Sequence, residues 1–326
     1  MKILIAPDSF KGTYTAMEVA GAIAGGVSEA QAEPLLIPVA DGGEGTFDVL
    51  SHTLGAKAIP VKARNPWGAD IDAFIGLSES GKAVVELAQA SGLTVPHAGY
   101  RDPLTADTYG TGMMIVEAVR RGAGEILVAA GGSATTDGGA GAVRAIQEAG
   151  GLSGSRVIIL SDVVTPFLDA ARVFGPQKGA DAACVEILTN RLQKQAREFP
   201  RDPSSEPRTG AAGGFSGGLW AHFGAELVSG ADYVLDTLGF DDSLSCADAV
   251  IVGEGRLDSQ TGEGKILSAI LTRVQRSIRN IPVFAVVGSV STDLGDYGHN
   301  FADVIIATDF VGMRHAGAAV VAHPGS

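Results

Sequence analysis

Short apolar runs alternate with helical patterns along most of the chain, and many of these runs end in glycines and polar residues. The run Lys2 to Ala6 leads through a loop into a helical pattern that Thr15 opens, and the run Leu35 to Ala40 repeats this arrangement. A buried strand followed by a loop and a helix is half of a βαβ unit. The alternation returns near the C-terminus, in the runs Asp248 to Val252, Val283 to Val287 and Asp303 to Ala307. We therefore predict an α/β fold in which the N- and C-terminal parts form one parallel, Rossmann-like sheet.

The middle of the chain has a different pattern and predicts a second, inserted α/β domain. The runs 59–63, 71–77 and 83–88 have the length of strands and are separated only by short turns. We place the discontinuous Rossmann-like domain at residues 1–60 and 240–326, and the inserted domain at 61–239. The segment 200–208 contains three prolines and alternating charges, so we expect a linker there.

Composition and charge narrow the set of partners. The formal net charge of −13 argues against nucleic acid as a partner, because binding it requires clustered Lys and Arg. Two cysteines form neither a metal spacing nor a disulfide framework, and the chain enters its first strand without a signal-peptide pattern. The apolar runs are of strand length, too short for a transmembrane helix. We therefore expect a cytoplasmic protein that binds no membrane.

The densest glycine cluster, Gly131 to Gly141, follows the run Glu125 to Ala130 and precedes another helical pattern. Glycines allow positive φ and a close approach of the main chain to a ligand, and several N–H groups can then converge on an anion where a helix begins. The alternative is a tight strand-to-helix turn without a ligand. We predict a phosphate-binding loop formed by Gly131, Gly132, Ser133, Ala134 and Thr135.

Two near-copies of one motif, Asp41-Gly-Gly-Glu-Gly and Asp137-Gly-Gly-Ala-Gly, each lie between a strand and a helix. A carboxylate beside flexible backbone is suited to Mg²⁺, which proteins usually hold through one or two carboxylates together with water and phosphate oxygens. In the alternative, each aspartate caps the helix that follows. We predict that Asp41, Glu44 and Asp137 hold Mg²⁺.

Charged residues in other loops are further candidates. Lys11 and Lys178 lie in glycine-flanked loops, where a lysine can neutralise phosphate as a point charge; the alternative is a solvated surface lysine. Glu254, Arg256 and Asp258 follow a strand, either as site residues or as a structural ion pair. The sequence Gly264-Lys265 does not complete a P-loop, and the dinucleotide fingerprint after Val252 is also incomplete.

Six stretches, in order and across nearly the whole chain, resemble the motif series of the bacterial glycerate kinase family, of the glycerate 2-kinase type. They are Ile5-Ala-Pro-Asp-Ser-Phe-Lys-Gly12, Pro38-Val-Ala-Asp-Gly-Gly-Glu-Gly45, Gly131-Gly-Ser-Ala-Thr-Thr-Asp-Gly-Gly139, Phe174-Gly-Pro-Gln-Lys-Gly179, Gly210-Ala-Ala-Gly-Gly214, and Gly253-Glu-Gly-Arg-Leu-Asp258 with Gln260-Thr and Gly264-Lys265. The resemblance implies ATP-dependent phosphorylation of D-glycerate, with 2-phosphoglycerate expected ahead of 3-phosphoglycerate. It also implies a two-domain α/β fold with the active site in the cleft.

Within this resemblance we assign roles to individual residues. Asp162, at the end of the run Arg156 to Leu160, is the carboxylate expected to orient or deprotonate the attacking hydroxyl. Lys11 and Lys178 are expected to balance the charge of the phosphoryl group and of the glycerate carboxylate. The expected substrate-binding residues are Asp8, Ser9, Lys11, Glu254 and Arg256.

Two other functions stay open at this point. The first is a trimmed, catalytically weak family member that binds nucleotide or a related hydroxy acid. The second, a dinucleotide oxidoreductase, rests only on the α/β pattern and the incomplete fingerprint. The expected ligands are ATP, Mg²⁺ and D-glycerate. For the oligomeric state, a homodimer stays an open alternative.

Overall fold

A computed structural model describes residues 1–258, 265–291 and 294–323 of the chain. The strands, in chain order, are β1 (Lys2–Pro7), β2 (Glu33–Leu36), β3 (Lys57–Arg64), β4 (Asp70–Leu77), β5 (Lys82–Glu86), β6 (Glu125–Ala129), β7 (Arg156–Leu160), β8 (Glu226–Val228), β9 (Ala249–Leu257), β10 (Val283–Val290) and β11 (Asp303–Ile306). The α-helices are α1 (Ala16–Glu29), α2 (Thr46–Thr53), α3 (Ala88–Ser91), α4 (Tyr109–Arg120), α5 (Ala140–Glu148), α6 (Ala170–Phe174), α7 (Ala182–Glu198), α8 (Phe215–Phe223), α9 (Gly230–Thr237), α10 (Phe240–Cys246), α11 (Lys265–Arg276) and α12 (Phe310–Ala322). Short 3-10 helices cover Phe167–Asp169, Pro176–Lys178, Ala211–Gly214 and Gly295–Asn300.

The chain forms two compact units. Unit 1 consists of Met1–Asp41 and Ala231–Ser326, and unit 2 consists of Gly42–Gly230. We predicted the boundaries at 60/61 and 239/240, so the compact units divide the chain earlier at both points. The first difference arises because α2 packs on β4 and β5, which belong to unit 2. Whether the domains that fold independently end at the predicted boundaries stays a prediction.

Unit 1 is built around a parallel sheet with the strand order β11-β10-β9-β1-β2, in which β1 pairs with both β2 and β9. Alternate residues of β1 enter different hydrophobic clusters: Ile3 packs with α1 and α12, and Leu4 packs with α10 and α11. Both faces of the sheet are thus covered by helices, as in doubly wound folds. The predicted Rossmann-like sheet of N- and C-terminal parts is confirmed.

Unit 2 contains a mixed sheet with the strand order β3-β4-β5-β6-β7-β8. The pairs β3–β4 and β4–β5 are antiparallel, whereas β5 through β8 run parallel. The short turns between the apolar runs predicted this change of construction. Because β5 to β8 are parallel, their carboxyl ends lie at one edge of the sheet, where ligands bind in open α/β folds.

The predicted linker at 200–208 is wrong, since this segment is a structured part of unit 2. Pro203 is buried, and its carbonyl accepts a hydrogen bond from Thr209 Oγ1 at 3.0 Å. The Arg201 guanidinium lies over the Trp220 ring, 3.4 Å from its centroid. Proline and charge favour a loop here, but they do not decide whether that loop packs against its own unit.

Across the part of the chain that the structure describes, the helices are too short or too polar to cross a bilayer.

Candidate active site

The substrate-binding residues predicted in unit 1 line a single cavity of about 390 Å³. It lies beside the carboxyl ends of β1 and β9, where the chain order of the sheet reverses, and such switch points bind ligands in open α/β sheets. The predicted residues in its lining are Asp8, Ser9, Lys11, Glu254 and Arg256. The rest of the lining is Phe10, Thr13, Gly255, Gly288, Ser289 and Thr308. The structure therefore brings together residues almost 250 positions apart in the sequence.

Asp8 is the most strongly perturbed acid of this cavity. Burial raises its pKa from 3.8 to about 7, and the negative charge of Asp41 adds to the rise. The amide of Ser9 donates to Asp8 Oδ1 at 2.6 Å, which opposes the shift in part. At neutral pH the Asp8 carboxyl therefore exists in both protonation states, and a bound cation would favour the ionised one.

Glu254 and Arg256 lie two positions apart on β9, so both side chains point to the same face of the strand. Glu254 is buried, while Arg256 is exposed and makes no ion pair with any described residue. This arrangement does not match the structural ion pair that we kept as the alternative. Gln260, Thr261 and Gly264, which belong to the same matched motif, lie outside the described residues.

The predicted phosphate loop of unit 2 joins β6 to α5. A Cβ atom at Gly131 would lie 2.4 Å from Gly43 Cα, so only glycine permits this close approach of two loops. Gly132 and Gly139 have φ values of 70° and 76°, in the left-handed region that favours glycine. The backbone conformation of this loop therefore requires these glycines, whether or not a ligand binds.

The loop amides differ in what they can offer a ligand. Those of Gly131, Ala134 and Thr135 donate hydrogen bonds within the protein, at 2.8 to 3.2 Å. Ala134 and Thr135 are also buried. The amides of Gly132 and Ser133 meet no acceptor within the described ranges; Gly132 is exposed, whereas Ser133 is buried. Of these amides, that of Gly132 is both exposed and without an acceptor, so an anion at this loop would contact Gly132 first.

Lys178 lies inside this loop and is not a surface lysine. Its Nζ donates to the Thr135 carbonyl at 2.5 Å and to Ser133 Oγ at 3.4 Å. Burial lowers the pKa of Lys178 from 10.5 to about 7, against the opposing charge of Asp137. A neutral amine keeps two N–H groups, enough for both hydrogen bonds, so the loop can hold Lys178 uncharged until an anion arrives.

Asp137 lies two residues before Gly139, the N-cap of α5, and its carboxylate binds groups around the starts of two helices. Its Oδ2 accepts hydrogen bonds from the amide and the hydroxyl of Thr108 and from Gly141 N, at 2.8 to 2.9 Å. Its Oδ1 accepts from Gly139 N at 3.1 Å. One buried carboxylate thereby joins Thr108, immediately before α4, to the first turn of α5. With three donors on Oδ2 and one on Oδ1, the carboxylate is held firmly within unit 2.

Asp162 is the second residue after β7, following Ser161, and is half-buried. Ser229, directly after the neighbouring strand β8, donates its hydroxyl to Asp162 Oδ1 at 2.8 Å. Asp162 thus sits at the same sheet edge as the glycine loop that follows β6.

The predicted metal ligands are distributed over both units. Asp41 ends the first segment of unit 1 and acts electrostatically on Asp8, whereas Glu44 is exposed and belongs to unit 2. No group of three or more His, Cys, Asp or Glu side chains placed to hold a metal ion occurs in the described ranges. Asp8 and Asp41 nevertheless fit a cation, because a positive charge would relieve the repulsion that raises the pKa of Asp8.

Sequence reasoning missed Glu86, Thr108 and Ser229. Glu86 is buried at the end of β5, accepts a hydrogen bond from Phe47 N at 3.0 Å, and so anchors the start of α2. Burial raises its pKa from 4.5 to about 7, with further contributions from Asp48 and Glu44. Glu86 lies at the end of an apolar run, and a similar position was the signal by which the sequence pointed to Asp162. Thr108 and Ser229 carry no comparable local signal.

Comparison with known proteins matches the chain to one family along most of its length. The sequence profile of the Glycerate kinase family matches residues 3–150 and 147–313. "Glycerate 2-kinase" of Escherichia coli K12 is 36% identical over 346 residues, covering 94% of this chain and 90% of that protein. "Glycerate kinase" of Halalkalibacterium halodurans is 38% identical over 326 residues, covering 88% of this chain and 85% of that protein. A crystal structure from Salmonella typhimurium LT2, of a protein assigned as glycerate kinase 2, superposes with a TM-score of 0.84 at 34% identity, covering 99% and 97%.

Proposed function

The chain belongs to the glycerate kinase family, and on this premise we propose that it transfers the γ-phosphoryl group of ATP to D-glycerate, giving ADP and 2-phosphoglycerate. ATP is the co-substrate that a kinase family implies. The choice of the 2-position over the 3-position follows the name of the Escherichia coli relative, "Glycerate 2-kinase". The observation that carries the proposal is the unit 1 cavity, where cationic and carboxylate side chains converge.

This cavity has the chemistry to bind a small hydroxy acid. Lys11 and Arg256 supply positive charge for the glycerate carboxylate, and arginine can bind a carboxylate through two parallel hydrogen bonds. The carboxyl groups of Asp8 and Glu254 can bind the hydroxyls. In a protein with a net charge of −13, these local cations are needed to hold an anionic substrate.

The nucleotide phosphates are assigned to the first part of the glycine loop in unit 2. The amides of Gly132 and Ser133 provide donors there. Lys178 donates to Ser133 Oγ and can take up a proton when negative charge approaches. Phosphoryl transfer depends mainly on positioning and charge neutralisation, and this loop supplies both.

Asp162 is proposed to accept the proton of the attacking glycerate hydroxyl. The hydroxyl oxygen then forms the new bond to the γ-phosphorus as the bond to ADP breaks. Ser229 fixes the rotamer of Asp162 through its 2.8 Å hydrogen bond. Asp8 and Asp41 would hold Mg²⁺, which would supply positive charge for phosphoryl transfer. We assign Asp137 to holding the loop, in place of the metal role expected from the sequence.

The proposal is tested by measuring ADP release with ATP, Mg²⁺ and D-glycerate in the parent protein and in Asp162→Asn. Asp169, a partly exposed residue that pairs with Arg172 at 2.9 Å, gives the matched control Asp169→Asn. We expect Asp162→Asn to lose about 100-fold or more in kcat, in the range of general base catalysis, and the control to keep parental kcat. Near-parental kcat in a folded Asp162→Asn variant would remove Asp162 from this role. ATP binding without turnover in the parent would instead support the trimmed, catalytically weak family member.

A further inference from the structure

Arg208 has a backbone conformation that side chains rarely adopt. Its φ is 68°, in the left-handed region, where the Cβ atom crowds the following carbonyl. A residue other than glycine keeps such a conformation only where its surroundings hold it there, and residues of this kind cluster at functional sites. The contacts that hold Arg208 therefore indicate its role.

Two hydrogen bonds from Arg208 bracket Asp162 in the sequence. The guanidinium Nη1 donates to the carbonyl of Ser161 at 2.5 Å. The backbone amide donates to the carbonyl of Val164 at 3.3 Å. One residue thus fixes the main chain directly before Asp162 and two positions after it.

The turn that carries Arg208 is itself held firmly. Gly210 N donates to the Thr165 carbonyl at 2.9 Å, and a Cβ at Gly210 would lie 2.4 Å from the Pro166 carbonyl, so the two chains touch. Thr209 is fully buried, and its carbonyl accepts a hydrogen bond from Gly217 N at 2.9 Å. The guanidinium therefore extends from a rigid support.

We propose that Arg208 is a positioning residue that holds the end of β7 so that the Asp162 carboxylate meets the substrate hydroxyl. This proposal rests on the function proposed for Asp162. Ser229 fixes the carboxylate of Asp162, and Arg208 fixes the backbone that carries it. Arginine suits the task because its planar guanidinium carries several N–H donors in a fixed geometry.

Three substitutions separate the side-chain donor from the strained backbone. Arg208→Gly removes the guanidinium donor and relieves the backbone strain. Arg208→Ala removes the guanidinium donor but keeps the strain, and Arg208→Lys keeps a cationic side-chain donor. We expect kcat to fall about tenfold or more in the glycine and alanine variants, since small displacements of a reacting group have effects of this order. The KM for glycerate and for ATP should stay within about twofold of the parental values, and lysine should recover part of kcat. The thermal midpoint of the glycine variant should be at or above that of the alanine variant.

A double-mutant cycle with Asp162→Asn then asks whether Arg208 acts through Asp162. We expect Arg208→Gly to slow the parent but to cause no further loss in the Asp162→Asn background, because the group it positions is already absent. Equal fold-losses in both backgrounds would overturn the proposal, as would a parental kcat in folded Arg208→Gly. Parental kcat in Asp162→Asn alone would refute the proposed base, and the positioning role with it. If kcat falls in Asp162→Asn but stays parental in Arg208→Gly, only the role of Arg208 is refuted.

Discussion

Burial moves the pKa of Asp8, Glu86 and Lys178 to about 7 in each case, upward for the two acids and downward for the lysine. Groups with such values change charge near neutral pH at little cost, which is what acid–base chemistry and charge compensation require. Asp8 lines the substrate cavity, and Lys178 lies inside the phosphate loop. At the scale of single residues, this suggests that ligand binding is coupled to proton uptake or release.

Lys178 provides the first prediction at this scale. At pH 8 its amine is mostly neutral, and the charge of bound ATP should raise its pKa so that binding takes up about one proton. Calorimetry of ATP binding in buffers with different ionisation enthalpies measures this number. Lys178→Met should bind ATP with about one proton fewer than the parent. Equal proton uptake in the two proteins would contradict the assignment of Lys178 to the phosphate loop.

Asp8 predicts a pH dependence of stability. Its folded pKa of about 7 lies above the ordinary aspartate value of 3.8, so its contribution to stability is complete below pH 3.8 and is lost as the pH rises through 7. Asp8→Asn removes this dependence. The free energy of unfolding of the variant, relative to the parent, should therefore rise between pH 5 and pH 8 by about 2 kcal/mol.

Urea titrations of parent and variant at both pH values measure the difference. The substitution Asp169→Asn, at a partly exposed ion pair, serves as the control and should show no such trend. If the free energies of unfolding of Asp8→Asn and the parent differ by the same amount at both pH values, Asp8 is not desolvated as described.

At the scale of elements, one carboxylate organises two helices. Asp137 joins Thr108, before α4, to the first turn of α5 through a set of buried hydrogen bonds. Asp137→Asn places an amide donor among these donors, and we expect it to lower the free energy of unfolding by about 2 to 4 kcal/mol in the absence of Mg²⁺. Denaturant titration without the metal measures this loss. Unchanged stability together with a raised Mg²⁺ requirement would instead support the metal role that the sequence suggested.

The sequence predicts elements well where the signal is local. The alternation of apolar runs and helical patterns predicted the parallel sheet of unit 1, and the short turns between 59 and 88 predicted the different construction of unit 2. Thr15 was expected to open the first helix, and it caps α1 in a reciprocal arrangement with Glu18. In these cases the decisive residues lie within a few positions of one another.

Long-range contacts explain what the sequence did not predict. The two copies of the Asp-Gly-Gly motif look alike, but only the position of Thr108, 29 residues before Asp137, reveals that Asp137 links two helices. Likewise, the segment 200–208 has the composition of a linker, and its order depends on packing against Trp220 and the end of β7. Such pairings require the fold before they can be recognised.

At the scale of the whole molecule, chemistry is concentrated at the carboxyl ends of strands in both sheets. In unit 1 these ends form the cavity with Lys11 and Arg256. In unit 2 they carry the glycine loop and Asp162. A net charge of −13 makes the placement of cations informative, because an anion is bound only where local donors outweigh the surrounding field. Each unit thus holds groups suited to a different part of the proposed reaction.

The most direct test of the account is phosphorus NMR of the product formed from ATP, Mg²⁺ and D-glycerate. We predict one new phosphomonoester signal, coupled to the single proton on carbon 2, growing in step with the ADP signals. A signal coupled to the two protons of carbon 3 would contradict the assignment of 2-phosphoglycerate while keeping the kinase. Hydrolysis of ATP to inorganic phosphate alone, or no reaction, would contradict the proposed phosphorylation of glycerate itself.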